Sequence, residues 1–105
     1  MPAPTTMTFF ARFEADILSG KKTITLRDES ESHYVPGSVV EVSTLEDGRV
    51  FCRLEILSVT PVQFDQLSEA HARQENMTLP QLKAVIQEIY PGIEHLYEVS
   101  YRLVG

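Results

Sequence analysis

Gly20 separates two segments whose apolar residues recur with different periods. Before it, apolar side chains are spaced as on one face of a helix, at Phe9, Phe10, Phe13, Ile17 and Leu18. We therefore predict a helix over about residues 8 to 19, which Gly20 ends in a left-handed conformation. After the glycine, residues 23–27 alternate with a period of two, as a strand does. The chain must therefore reverse from helix to strand within a few residues.

The predicted strand carries both apolar side chains and groups capable of chemistry. Its alternation places Ile24 and Leu26 toward the core and Thr23, Thr25 and Arg27 on the other face. A hydroxyl therefore lies beside a permanent cation. The alternative reading is an ordinary amphipathic strand with solvated threonines and ion pairs.

Two further strands are predicted downstream. Residues 28–37 are polar and contain a Pro-Gly turn, so we expect a loop that passes over the polar face of the first strand. Residues 39–45 and 50–59 alternate as strands and are joined across Asp47-Gly48, a dipeptide typical of β-hairpins. Pro61 is expected to end the second of these strands.

Helical spacing returns after the hairpin. A helix is predicted over about residues 65–75, capped by Asp65 or Ser68, and the capping-box spacing that starts at Thr78 begins a second helix. The last segment, from Tyr97, alternates as a half-buried strand does. The order of helix, three strands, two helices and strand predicts an α+β domain whose small mixed or antiparallel sheet can curl into a barrel.

Length and composition restrict the classes of function that we expect for the chain. At 105 residues the chain is expected to be one domain, residues 1–105, in which residues 1–5 form a loose tail. Fifteen acidic against nine basic residues give a net charge of −6, which argues against a general nucleic-acid surface and favours a small ligand. One cysteine and three scattered histidines predict neither a disulfide nor a metal site. With no signal peptide or membrane-spanning run, we expect a cytoplasmic protein.

Hydrolysis without a metal requires a nucleophile, a base and an acid. Thr25 is the candidate nucleophile, and Lys22 is a candidate base if burial and nearby Arg27 lower its pKa. Strict alternation, however, puts Lys22 on the Ile24 side of the strand. The two groups can meet only if Lys22 lies in the turn before the strand or at a bulge. The alternative is a solvated lysine.

Glu75 is the candidate acid because it lies at a predicted helix end, where a side chain can point into a cleft. His71 lies one helical turn earlier and could hydrogen-bond it; an ordinary surface glutamate and a packed histidine are the alternatives. His33 follows the acidic loop and is either a ligand contact or a solvated residue. Cys52 alternates with core residues, so we expect a buried hydrophobe and not a nucleophile.

Several motifs resemble a known family. Gly20-x-Lys22-x4-Arg27 is similar to the signature of ASCH domains, small barrels related to the PUA fold and associated with RNA binding and modification. The chain further resembles YqfB-type bacterial proteins, which hydrolyse N4-acetylcytidine, in the segments Thr8–Phe10, Asp16–Leu18, Lys22–Thr25, Arg27–His33 and Gln74–Thr78. The similarity runs from about Met7 to Leu103 and is weakest in the hairpin, Glu41 to Arg53, and in the N-terminal tail.

This resemblance implies a mixed PUA-like barrel with flanking helices and a metal-independent amidohydrolase that needs no cofactor. It implies Lys22 as proton acceptor, Thr25 as nucleophile and Glu75 as proton donor to the leaving nitrogen. For Glu75 to hold a proton near neutral pH, the pocket must be largely dry. Arg27 or backbone N–H groups would stabilise the oxyanion. The residues expected to bind substrate are Arg27, Lys21, Ser32 and His33.

The expected partner is a small acetylated cytosine nucleoside, not a membrane or an extended nucleic acid. The main alternative is a non-catalytic RNA-binding module of the same fold, in which Lys21, Lys22 and Arg27 line a cleft that holds one modified nucleotide. A small regulatory protein with partner-binding helices is a third reading, and no exposed apolar stripe in the sequence supports it. The sequence does not predict the oligomeric state.

Overall fold

The computed structural model describes residues 4–104. In this part of the chain, five strands and three α-helices are connected by loops and short 3-10 turns. The strands are β1 (Thr6–Phe9), β2 (Ile24–Arg27), β3 (Val39–Thr44), β4 (Val50–Gln63) and β5 (His95–Leu103). The helices are α1 (Glu14–Leu18), α2 (Glu69–Gln74) and α3 (Leu79–Ile89). The 3-10 turns cover Ala11–Phe13, Glu29–Glu31 and Phe64–Gln66.

All five strands form one mixed sheet in the order β1-β3-β4-β5-β2. β1 pairs with β3 in parallel, and the other neighbours are antiparallel. The two edge strands, β1 and β2, are successive in the chain yet lie at opposite ends of the strand order. This mixed sheet with its helices confirms the predicted α+β class.

The sheet curls until its two edges are bridged by one side chain. Arg27 Nη2, on β2, donates to the carbonyl oxygen of Thr8, on β1, at 2.7 Å. The same guanidinium lies over the ring of Phe9, 4.8 Å from its centroid. Among residues 4–104, β1 and β2 share no backbone pairing, so the expected barrel is not closed. The side chain of Arg27 spans the gap between the edges instead.

Buried apolar side chains form two groups. One joins four strands to α1 through Ile17, and the other packs α2 and α3 against Leu26 of β2 and Leu96 of β5. All four residues of β2 are buried, so this strand has no solvated face. The reading of an amphipathic strand with solvated threonines is therefore wrong, since Thr25 is only 5% exposed.

The helix predicted over residues 8 to 19 begins too early. Residues Thr6–Phe9 pair with β3 as a strand, and only Glu14–Leu18 is α-helical. Met7 and Phe9 alternate with exposed Thr6 and Thr8, a period-two pattern only four residues long. Because Phe9 also falls at helical spacing from Phe13, the longer helical pattern masks the strand.

Pro61 does not end β4, which continues to Gln63. Pro61 lies opposite Tyr97 of β5 within the ladder. β3 pairs with β4 only as far as Glu55, so Pro61 lies where β4 has a single neighbouring strand. A proline, which lacks an N–H donor, is tolerated at such an edge.

Other predicted features are confirmed. β3 and β4 form the hairpin around Asp47-Gly48, and Thr78 caps α3 by accepting from Gln81 N. In β5, Val99 and Tyr101 are buried as expected, whereas Leu103 is 42% exposed. Of the predicted tail, residues 1–3 lie outside the described residues, and Thr5 O accepts from Glu41 N at 3.0 Å. Within residues 4–104, no helix combines the length and apolarity that crossing a bilayer requires.

Candidate active site

The end of α1 sets the position of Lys22. Gly20 has φ +79°, and the backbone N–H groups of Gly20 and Lys21 donate to Ile17 O and Asp16 O. This is a Schellman termination, which confirms the predicted left-handed cap. Lys22 N also donates to Asp16 O, at 3.1 Å, so Lys22 belongs to the turn and precedes β2. The condition under which Lys22 can share a site with Thr25 is therefore met.

The end of α2 positions Glu75 in the same way. Glu75 is the C-cap, and Asn76 has a left-handed φ of 57°. Asn76 N donates to Arg73 O at 3.0 Å and Met77 N to Ala72 O at 2.8 Å, which is again the Schellman pattern. The reversal of the chain turns the Glu75 side chain inward, and the residue is 5% exposed.

The two helix ends are bound to each other. Thr23 N donates to Gln74 O at 2.8 Å, and the side-chain amide of Asn76 donates to Asp16 Oδ1 at 3.2 Å. These bonds bring Lys22 Nζ into contact with Glu75 Oε1. Lys22 is 3% exposed, so both partners are withdrawn from water.

Lys22 lies in a buried environment that lowers the pKa of its amine. Its Nζ donates to Ile24 O at 2.9 Å and lies 5.6 Å and 5.1 Å from the ring centroids of Phe9 and Phe13. Burial and the positive charge of Arg27 lower the pKa of Lys22 to about 7, although Asp16 opposes the change. A substantial fraction of Lys22 is therefore a free amine at neutral pH.

Thr25 and Arg27 lie on the same side of β2. Arg27 Nε donates to Thr25 Oγ1 at 2.9 Å. The third donor of the guanidinium, Nη1, contacts a carboxylate oxygen of Glu31. A hydroxyl that accepts from a guanidinium has its oxygen in a positive field, which stabilises negative charge developing there.

A cavity of about 170 Å³ opens beside these groups, between the β1–α1 segment and α3. Four polar residues of the site line it, namely Lys22, Thr25, Arg27 and Glu75. Its apolar walls include Phe9, Phe10 and Phe13 on one side and Leu82, Val85 and Ile86 on the other. An apolar cavity with a few convergent polar groups is typical of a small-molecule site.

Three predicted substrate contacts do not reach this cavity. Lys21 is exposed and borders a shallow depression beside Arg73, His33 is exposed, and Ser32 Oγ donates to Glu29 O at 2.7 Å. Lys21 follows the capping glycine on the outer side of the turn, and Ser32 closes the 3-10 turn. Their roles in substrate binding stay predictions.

His71 does not contact Glu75 through its side chain. Its Nε2 lies 3.0 Å from a carboxylate oxygen of Glu98, and its Nδ1 accepts from Ser68 N at 3.1 Å as part of the cap of α2. Cys52 is buried, as expected, and burial raises the pKa of its thiol to about 11. Within the described chain, no three His, Cys, Asp or Glu side chains are grouped as metal ligands would be.

Two residues of the cavity lining, Glu31 and Tyr90, are not predicted from the sequence to belong to the site. The Arg27–Glu31 spacing of four residues is an ion-pair signal on a helix, but these residues span the end of a strand and a 3-10 turn. Tyr90 caps the end of α3 and precedes Pro91-Gly92, a sequence that is typical of a helix end and carries no indication of a site. Neither local pattern predicts that Glu31 and Tyr90 share a site, because only the fold brings the two residues together.

Sequence comparisons and structure comparisons agree on the proteins to which this chain is similar. A family model described as "ASCH domain" matches residues 5–80. A Vibrio atlanticus (strain LGP32) protein named N(4)-acetylcytidine amidohydrolase is 74% identical over 104 residues, which are 99% of this chain and 100% of that protein. A Shewanella sp. (strain MR-4) protein of the same name is 61% identical, covering 95% and 97%. The solved ASCH domain from Lactobacillus crispatus JV V101 has the same fold, with a TM-score of 0.75 at 20% identity, covering 95% of this chain and 80% of that one.

Proposed function

The chain belongs to the ASCH domain family, and from this premise we propose that it deacetylates N4-acetylcytidine to cytidine and acetate. The observation that carries the proposal is the contact of Lys22 with Glu75 in a cavity that Thr25 also lines. Relatives that match nearly end to end and are named for this activity support it.

In the first half of the proposed reaction, the Lys22–Glu75 pair holds one proton, carried by Glu75. The neutral amine of Lys22 takes the proton of the Thr25 hydroxyl, and Thr25 Oγ1 attacks the acetyl carbonyl carbon. The C–N bond then breaks as Glu75 gives its proton to the exocyclic nitrogen. Cytidine leaves, and an acetyl ester remains on Thr25.

In the second half, water attacks the ester carbonyl. The Glu75 carboxylate takes a proton from this water, and protonated Lys22 returns its proton to Thr25 Oγ1 as the ester bond breaks. The product leaves as acetic acid, which keeps the second proton of the water and ionises to acetate in solution, and the proton on Glu75 and the free amine of Lys22 are restored. Each group gives and takes one proton per cycle, so no metal is needed to generate the nucleophile.

Arg27 is the proposed source of electrostatic stabilisation. Its guanidinium donates to Thr25 Oγ1 and lies in the same cavity wall, where negative charge develops as the acetyl carbonyl is attacked. The apolar walls lower the local dielectric, which strengthens this interaction. Arg27 therefore acts on the nucleophile and on the charge that it creates.

The direct test is incubation of the chelator-treated protein with N4-acetylcytidine and measurement of cytidine and acetate. Stoichiometric release of both products is expected. No release, together with sub-micromolar binding of unmodified RNA at physiological salt, would favour the RNA-binding module. The net charge of −6 predicts that such binding is weak.

The pKa of Lys22 predicts how the activity depends on pH. Because the base must be neutral, kcat/KM should have an ascending limb centred near pH 7, and the profile should turn down at higher pH where the proposed acid, Glu75, loses its proton. A lysine with its ordinary pKa would place this limb above pH 10. The measurement is kcat/KM for N4-acetylcytidine between about pH 5 and 9 at constant ionic strength.

A further inference from the structure

We propose that Glu31 is a positioning residue of this site, which holds the Arg27 guanidinium against the Thr25 hydroxyl and balances its charge. The inference rests on the proposed function, because it assigns Glu31 to the same reaction. Glu31 is carried by the 3-10 turn Glu29–Glu31 that follows β2, and its side chain lines the cavity without touching Lys22 or Glu75 in the described structure.

The partners of Arg27 show why Glu31 matters. Nε donates to Thr25 Oγ1, Nη2 donates to Thr8 O, and Nη1 contacts Glu31. A planar guanidinium held at all three nitrogens has one orientation. Glu31 is the charged member of this set, and it alone of the three partners lies outside the sheet. Without it, the guanidinium can rotate about the two remaining contacts.

Tyr90 links Glu31 to the opposite wall of the cavity. Its hydroxyl lies 3.5 Å from the second carboxylate oxygen of Glu31, at the end of α3. Burial and the charge of Glu31 raise the pKa of Tyr90 to about 12, so it stays a phenol and can donate to the carboxylate. Glu31 therefore connects the 3-10 turn after β2 with the end of α3 within the cavity lining.

The charges around Lys22 predict the effect of removing Glu31. Lys22 faces Asp16 from α1, Glu75 from the end of α2 and Arg27 from β2, while Tyr101 of β5 donates to Lys22 O. Loss of the Glu31 charge leaves Arg27 uncompensated in the same buried region. A stronger positive field disfavours the Lys22 ammonium, so the pKa of Lys22 falls further.

The groups around Arg27 do not replace Glu31. Tyr34, Tyr90 and Tyr101 lie near the guanidinium, and burial raises the pKa of each phenol, so all three are neutral. Asp28 follows Arg27 directly, but its carboxylate accepts from Ser30 Oγ in the loop. Glu31 is therefore the carboxylate that contacts Arg27 within residues 4–104.

The test compares Glu31→Gln with Glu29→Gln. Both changes remove one carboxylate from the same 3-10 turn, but Glu29 is exposed and does not line the cavity. For Glu31→Gln we expect kcat on N4-acetylcytidine to fall on the order of 100-fold, as misplacement of a positioned group does. KM should change less, and the ascending limb of the pH profile of kcat/KM should move to lower pH. Glu29→Gln should retain the parent values.

Glu31→Asp distinguishes the orienting role of Glu31 from its role in balancing the charge of Arg27. The shorter side chain keeps the charge but reaches less far toward Arg27, so kcat should fall. The ascending limb of the pH profile of kcat/KM should move less than in Glu31→Gln. Thermal unfolding establishes that each variant is folded. The inference is overturned if Glu31→Gln behaves as Glu29→Gln does, or if Glu31→Asp retains the parent kcat.

If the parent releases no cytidine, the proposed function is wrong, and the role of Glu31 is tested without substrate. The Lys22 amine is titrated by NMR of ¹³C-lysine-labelled protein, with its signal assigned by Lys22→Met. A lower pKa in Glu31→Gln than in Glu29→Gln would support charge balancing by Glu31. Equal pKa values in the two variants would overturn it.

Discussion

Thr25→Val is expected to fold as the parent does and to lose turnover of N4-acetylcytidine by at least about 10⁴-fold, as removal of a nucleophile does in other hydrolases. Valine keeps the shape and the strand preference of threonine at this buried position in β2. It removes the hydroxyl that accepts from Arg27 Nε and that, in the proposed mechanism, attacks the acetyl group. The measurements are steady-state kinetics and thermal unfolding of the same preparation.

Thr23→Val is the matched control for this change. Thr23 is half-buried, lies just before β2 and is not part of the cavity lining. Its backbone bonds to Gln74 and Tyr101 do not depend on its hydroxyl. Near-parental activity is therefore expected for Thr23→Val. If well-folded Thr25→Val were equally active, the acetyl-threonine step would be wrong, and direct attack by water would become the preferred mechanism.

A trapped intermediate provides a second test of the same step. Rapid acid quench of parent protein mixed with excess substrate should yield a tryptic peptide containing Thr25 that is heavier by one acetyl group. The Thr25→Val peptide should remain unmodified under the same conditions. Acetylation found on Lys22 in place of Thr25 would assign the nucleophile to the amine.

The sequence alone predicts the strand that carries Thr25 and Arg27 but not the burial of both of its faces. Alternation of Ile24 and Leu26 with polar residues is typical of a half-exposed strand. The polar face is covered because β1 lies at the opposite end of the strand order and the sheet curls until Arg27 reaches Thr8. The approach of Arg27 to Thr8 depends on the order of the strands in the sheet, and local sequence patterns do not specify that order.

The position of Lys22 is partly readable from the sequence. Gly20 predicts a left-handed helix end, and the structure confirms that Lys22 lies in this turn, before β2. The second half of the arrangement is a long-range contact between Thr23 N and Gln74 O, which brings Glu75 to Lys22. Asn76 is a local signal for that second helix end, since asparagine adopts the left-handed conformation more readily than most residues.

Lys22, the proposed base, is also expected to act as one unit with Thr25, the proposed nucleophile. Lys22→Met keeps the buried stem of the side chain and removes only the amine, so it should abolish nearly all turnover at every pH between about 5 and 9. Lys21→Met is the matched control for the chemical step: this neighbouring lysine is exposed and is not part of the cavity lining, so the variant should keep the parent kcat and the ascending limb near pH 7, and the predicted role of Lys21 in substrate binding would change only KM.

The double variant Lys22→Met with Thr25→Val decides whether the two residues act in the same step. If Lys22 takes the proton of Thr25, its amine has no function once the hydroxyl is gone, and the double variant should be scarcely slower than either single one. If the two residues contributed independently, the losses of turnover in the single variants would multiply, and the double variant would be far slower than either single one. Multiplying losses would mean that Lys22 supports catalysis by another route, such as binding the substrate, and that a different group accepts the proton of Thr25.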